Sequence, residues 1–103
     1  MMTNAKQEFI EETKDKTIKC AQLAFEITYG EYEAHDLHEG WTHKDWGEFL
    51  LGINKSYDSG FGGQELYGVI WYTDGTWSER GEYDGSEWWA YKKAPEWGDR
   101  GTE

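Results

Sequence analysis

Two Asp-Gly steps, Asp74-Gly75 and Asp84-Gly85, punctuate residues 72–91, YTDGTWSERGEYDGSEWWAY, and separate runs rich in aromatic and β-branched side chains. An Asp-Gly pair supplies the positive φ angles that tight hairpin turns demand, so the segment predicts a three-stranded antiparallel meander. Turn register decides which side of it is core, because a one-residue slip moves every side chain to the opposite face. Two-residue loops would set Glu82 directly opposite Glu87, a destabilising like-charge pair. Three-residue loops, each with its glycine in the left-handed position of a bulge, pair Trp71 with Trp77 and Glu79 with Trp89 instead. This bulged register is the expected one. It collects Tyr67, Val69, Trp71, Trp77, Gly81, Trp89 and Tyr91 on the face that receives a helix, and leaves Arg80, Glu82, Trp88 and Lys92 on the outward face. Arg80 would then lie over Trp88 as an exposed cation–π pair.

Upstream, Asn4 is placed to cap a short helix over residues 5–14, with Phe9, Ile10 and Thr13 at helical spacing, within an N-terminal segment 1–16. Its few apolar residues make it peripheral. From Thr17 the period changes to two: Ala21, Leu23, Phe25, Ile27 and Tyr29 alternate with more polar neighbours and predict a strand over 17–29. Residues 30–42 mix acids, histidines and glycines without a period and read as an acidic loop or a short irregular edge strand. Thr42, with Asp45 three residues on, forms a capping-box pattern for a helix over 43–54, whose stripe of Trp46, Phe49, Leu50 and Ile53 should pack on the sheet. Residues 56–64 form a glycine-rich connection, 65–93 the meander and 94–103 a tail. The expected fold is one α+β domain over residues 1–103. It is an antiparallel sheet of about four strands packed against one main helix, with the short N-terminal helix beside it.

Seven Trp, seven Tyr and four Phe against few aliphatic residues mean that the core is largely aromatic. Cys20, the single cysteine, cannot form an intrachain disulfide, and no apolar stretch near the N-terminus has the length of a signal peptide or a membrane span. A reducing cytoplasm is the expected location. With 21 acidic and 10 basic side chains the formal charge is −11, which repels phosphate backbones and anionic membranes and excludes direct nucleic-acid binding as an expected function.

His35, His38 and His43 fall within nine residues, but their spacing matches no common zinc pattern and the one thiolate is distant. They read as a solvated polar segment, and no metal or cofactor is expected. Carboxylate pairs such as Glu79 with Glu82 arise readily in so acidic a chain and do not of themselves make a glycosidase. Cys20 sits in apolar alternation and reads as a small buried side chain. DSGFGGQE has the glycines of a phosphate loop without its Lys-Ser/Thr ending. No catalytic residue is assigned, and the chain reads as a non-enzyme.

Charge distribution says more. Between Lys19 and Lys44 there is no Lys or Arg, whereas Glu26, Glu31, Glu33, Asp36 and Glu39 occur. Such a connected negative surface fits the basic nucleic-acid groove of another protein, or simply keeps an aromatic-rich chain soluble.

The run DSGFGGQELYGVIWYTDGTWSERGEYDGSEWW, residues 58–89, together with the following AYKKAPEW, resembles a group of small proteins encoded by tailed bacteriophages and prophages. Before residue 58 the likeness extends only to the order of strand, acidic loop and helix. The resemblance implies a phage accessory protein acting in the bacterial cytoplasm and carries over no catalytic residue. Small acidic phage proteins without catalytic motifs often bind host machinery, anti-restriction and anti-CRISPR inhibitors that imitate DNA among them. By that analogy the expected partner is a host protein with a basic nucleic-acid-binding surface. Glu31, Glu33, Asp36 and Glu39 would steer the encounter, and Arg80, Glu82 and Trp88 would make the specific contact. Two other readings stand beside it: a small-ligand or carbohydrate module using exposed Trp88 and Trp97, and a virion assembly factor. The outward meander face also leaves room for a second copy of the chain, as a homodimer.

Overall fold

The structure is a computed structural model that describes residues 2–60 and 62–95. A short strand, β1 (Met2–Asn4), leads into helix α1 (Ala5–Thr13), where Asn4 Oδ1 accepts the Gln7 amide at 2.9 Å and caps the helix as expected. Strands β2 (Ile18–Thr28) and β3 (Glu31–Leu37) form a hairpin, closed at Gly30 with φ +81°. Helix α2 (His43–Gly52) follows, with the full capping box between Thr42 and Asp45. After β4 (Ser56–Asp58), which pairs with β1, the meander runs through β5 (Leu66–Tyr72), β6 (Trp77–Tyr83) and β7 (Ser86–Lys92). The main sheet is five-stranded and antiparallel in the order β3-β2-β5-β6-β7. The class is α+β. Of the expected tail, Ala94 and Pro95 are exposed; residues 96–103, Trp97 among them, lie outside the described residues.

Both helices cover one face of the sheet, and α1 is the deeper of the two. Ala5 and Phe9 are completely buried, and the Phe9 ring meets Phe49 at 5.2 Å, Trp46 at 6.0 Å and Trp89 at 6.5 Å between centroids. The expectation of a peripheral N-terminal helix and one main helix is therefore corrected. Its inward flank includes Glu8, Glu12 and Thr13 as well as Phe9, so its apolar count understates its burial. Helix α2 buries only Phe49 along its length, and Ile53 just past its end. Trp46 and Leu50 close the margin of the core, with Trp41 stacked on Trp46 at 5.3 Å.

Residues 31–37 form a full edge strand, paired with β2 from Glu31 to Leu37, where the sequence pattern left open an acidic loop or a short irregular edge strand. Glycine has one strict structural role inside the sheet. An added Cβ at Gly68 would fall 2.5 Å from the Gln22 carbonyl oxygen, so its absence lets β2 and β5 approach.

The two meander hairpins differ. The first has the expected register: Trp71 pairs with Trp77 and Gly75 adopts φ +89°. The second has the register that charge repulsion argued against. Glu82 lies opposite Glu87 and Tyr83 opposite Ser86, across a two-residue turn in which Asp84 (φ 54°) and Gly85 (φ 88°) are both left-handed. Repulsion is relieved because Glu87 is buried beside Arg80 and accepts the amides of Glu65 and Leu66, while Glu82 accepts the Gly85 amide.

The face assignment is corrected as well. The side chains that meet the helices are Leu66, Ile70, Tyr72, Ser78, Arg80, Glu87 and Trp89. Tyr67, Val69, Trp71, Trp77 and Gly81 face the other way, with Trp88 and Lys92. Arg80 is thus an inward residue and pairs with the ring of Trp89, at 5.0 Å, rather than with Trp88.

Candidate functional site

A polar network joins the Phe9 ring in holding α1 on the sheet. Arg80, with its side chain 1 % exposed, donates from Nη2 to Tyr57 Oη at 2.7 Å and to Glu87 Oε1 at 3.0 Å. Its Nη1 stands 3.1 Å from Glu8 Oε2, an ion-pair contact out of line for a hydrogen bond. Tyr57 Oη in turn donates to Glu8 Oε1 at 2.5 Å. Beside this group Tyr72 Oη and Ser78 Oγ lie 2.7 Å apart, and Ser78 donates to Glu12 Oε2 at 2.7 Å. Burial opposes the Arg80 charge, but Glu8, Tyr57 and Glu87 outweigh it and hold the guanidinium pKa above its ordinary value. Burial, reinforced by Glu8, pushes the Tyr57 hydroxyl well up, and burial raises Tyr72 to about 12. Apart from Arg80 Nη1 and the buried Trp89 Nε1, which have no hydrogen-bond partner, the strong groups here are matched to fixed partners, which is the arrangement of a structural network.

The opposite face carries no helix, and strand alternation arrays its side chains in rows. One row runs Ala34, Ala24, Tyr67; the next Asp36, Gln22, Val69, Glu79, Ala90; the third Cys20, Trp71, Trp77, Lys92. Trp88 pairs with Gly81, and its indole lies where a Cβ on that glycine would stand, 2.7 Å from Nε1. Trp88 is 43 % exposed and Tyr32, whose ring meets that of Tyr67 edge-on at 5.6 Å, is 53 % exposed. Glu79 is clamped in the centre, accepting from Trp77 Nε1 at 2.9 Å and Lys92 Nζ at 3.1 Å. Those two bonds, Trp77 first, hold its carboxyl below the ordinary range. Two shallow depressions of about 390 Å³ each flank the shared pair Gln22 and Asp36, one walled by Tyr67, the other by Trp71 and including Cys20. Cys20 is half-buried on this face, not enclosed in the core.

The seven residues expected at a partner interface separate. Glu31, Asp36 and Glu39 are exposed along or just beyond β3, and Glu31 accepts from Thr28 Oγ1. Glu33 turns to the helix side, where it accepts from Lys55 Nζ and bonds His35 at 2.6 Å. The hydrogen bond from Lys55, then that from His35, lowers its pKa. Glu82 is exposed on the helix-side face and Trp88 on the helix-free face, so the two do not share a surface. Arg80 is buried and leaves the set. Sequence reasoning missed Tyr32, Tyr67, Trp71 and Trp77 as surface groups. The only signal was that the run LYGVIWY is apolar on both faces of its strand.

His35 packs edge-on against Phe25 and bonds Glu33, and no group of three or more His, Cys, Asp or Glu among the described residues is arranged to hold a metal ion. No helix among them is long and apolar enough to cross a membrane. No family model, curated protein or solved structure matches the chain. The helix-free face is thus assessed on its own chemistry: aromatic area with an acidic border.

Proposed function

We propose that the protein is a non-enzymatic binder of phage or prophage origin that acts in the bacterial cytoplasm. It docks its helix-free sheet face on a basic surface of a host protein and blocks that surface. A nucleic-acid-binding defence component is the kind of partner this suits. The observation that carries the reading is the helix-free aromatic face, on which Trp88 and Tyr32 are exposed and Tyr67, Trp71 and Trp77 half-buried, since apolar surface gathered on one side of a small domain marks an interaction site. Charge supports it. Lys14, Lys44, Lys55, Arg80 and Lys92 are each engaged by a carboxylate, so the excess of acid over base is left facing solvent. Glu31, Asp36 and Glu39 would speed the encounter, and Trp88 with its aromatic neighbours would supply the short-range contact.

The test is capture from bacterial lysates by the tagged protein and by its Trp88→Ala/Tyr32→Ser variant, at low and high salt. The proposal expects a nucleic-acid-binding protein that elutes with salt and is lost with the variant. Recovery of virion proteins or of the chain itself, equally by both forms, would overturn it in favour of an assembly role. The alignment of Trp71, Trp77 and Trp88 on one face favours a second reading, stacking on sugar rings. That reading predicts tryptophan fluorescence changes with oligosaccharides that do not depend on salt.

A further inference from the structure

The depression between Tyr67 and Asp36 has a more specific chemistry than the face around it. Its floor is Ala24 and Ala34, directly paired across β2 and β3, and their small size leaves the gap of about 390 Å³. One wall is Tyr67 with Val69; the other is Asp36 with Gln22. The aromatic wall is fixed in advance, because the Tyr32 ring braces Tyr67 edge-on and Tyr67 Oη donates to the Gln64 carbonyl at 3.3 Å. Asp36 is exposed, and its carboxylate has no hydrogen bond or ion pair among the described residues.

We infer that this slot receives an arginine side chain of the basic partner. The inference rests on the docking reading above. An apolar group covering the slot would strip water from the Asp36 carboxylate and return nothing, and an anion would be repelled by it and by the net charge of −11. A cation satisfies both. Arginine fits better than lysine because its planar guanidinium can bond the carboxylate through two N–H groups while its face rests on a tyrosine ring. The neighbouring depression at Trp71 is lined by Lys19 as well as by Asp36 and Glu39, a mixed-charge lining that selects less for a guanidinium than the Ala24–Ala34 slot, where Asp36 is the one charged residue.

Titration of the ¹⁵N-labelled full chain with amidated hexa-arginine and hexa-lysine, followed by NMR, tests this. Expected are shifts centred on Ala24, Ala34, Tyr67 and Val69, with hexa-arginine binding several-fold more tightly. Ala34→Leu, which fills the slot without changing charge, should weaken hexa-arginine by roughly tenfold, and Asp36→Asn by a similar factor, as expected for a charge-assisted contact. Ala34 is exposed, so the leucine is accommodated; circular dichroism checks the fold of both variants. Shifts spread over every acidic segment, equal for the two peptides and unchanged by Ala34→Leu, would overturn the slot. If partner capture still depended on Trp88 in that case, the docking reading would stand without it. Slot binding in the absence of any captured host protein would leave the arginine site and remove the host partner.

Discussion

The two faces of this sheet divide polar and aromatic side chains against the usual expectation. Behind the helices lie an arginine, three glutamates, two tyrosine hydroxyls and a serine, bonded in two adjacent groups; on the face without helices lie three tryptophans and two tyrosines. Burial of the charged set is tolerable because each member has fixed partners, and exposure of the rings is costly unless something covers them. With the proposed function the contrast puts stability on one face and recognition on the other, and substitutions on the two faces should separate accordingly. The largest effect is expected at Arg80. With the Arg80 side chain 1 % exposed and that of Glu87 0 %, Arg80→Met leaves a buried carboxylate uncompensated and should cost about 3–5 kcal/mol in urea unfolding. A loss below about 1 kcal/mol, the range of an exposed pair, would mean that the network contributes little and the division of roles is wrong.

Phe9 tests the same face without charge. Phe9→Ala removes the ring at the centre of the Phe49, Trp46 and Trp89 cluster and should cost about 3–5 kcal/mol, the range for buried aromatic truncations. Leu51, on α2 and 77 % exposed, should by contrast change stability by no more than about 0.5 kcal/mol when replaced by Ser. Equal losses at the two positions would argue that α2, not α1, is the principal helix on the sheet.

Much of this architecture is legible locally. The caps at Asn4 and Thr42 and the turns at both Asp-Gly steps are set by side chains three or fewer residues away, and they are found where the sequence puts them. Three features depend on distant partners and are not legible. Edge strand β3 shows no apolar alternation, because Glu33 is held by Lys55 from beyond α2. The second hairpin looks electrostatically wrong until Arg80 and the Glu65 and Leu66 amides are brought to Glu87. The inward face of β5 and β6 cannot be chosen by counting apolar residues, since the larger rings point out; it is chosen by Glu8 and Glu12 on α1, about seventy positions earlier in the chain, reaching Arg80 and Ser78. For the candidate site this meant that Trp88 was found and its aromatic neighbours were not.

Alkaline titration tests the helix side by a smaller effect, against a helix-free face on which burial raises Tyr67 as well. Tyr57 and Tyr72 are neutral and buried, with hydroxyl pKa values raised chiefly by burial. A raised folded-state pKa means that the stability these groups contribute is complete below the unfolded tyrosine value near 10 and is lost as pH rises, for Tyr72 through about 12. Phenolate absorbance should therefore appear in two phases, the later one together with loss of near-ultraviolet circular dichroism. A single early phase with the fold intact would show that the hydroxyls on the helix side are accessible, contrary to their bonding to Glu8 and Ser78.

Trp88 should give the smallest change in stability. Its indole covers Gly81 on the neighbouring strand, a cross-strand contact worth roughly 0.2–1 kcal/mol, and nothing else in the core leans on it. Trp88→Ala should therefore unfold in urea within about 1 kcal/mol of the parent protein, with unchanged far-ultraviolet circular dichroism, while abolishing partner capture. A loss of several kcal/mol would place Trp88 among the structural residues, and the helix-free face would then owe its rings to sheet packing instead of recognition. The measurement is sharpest beside Arg80→Met, because the proposed division requires each substitution to impair what the other spares.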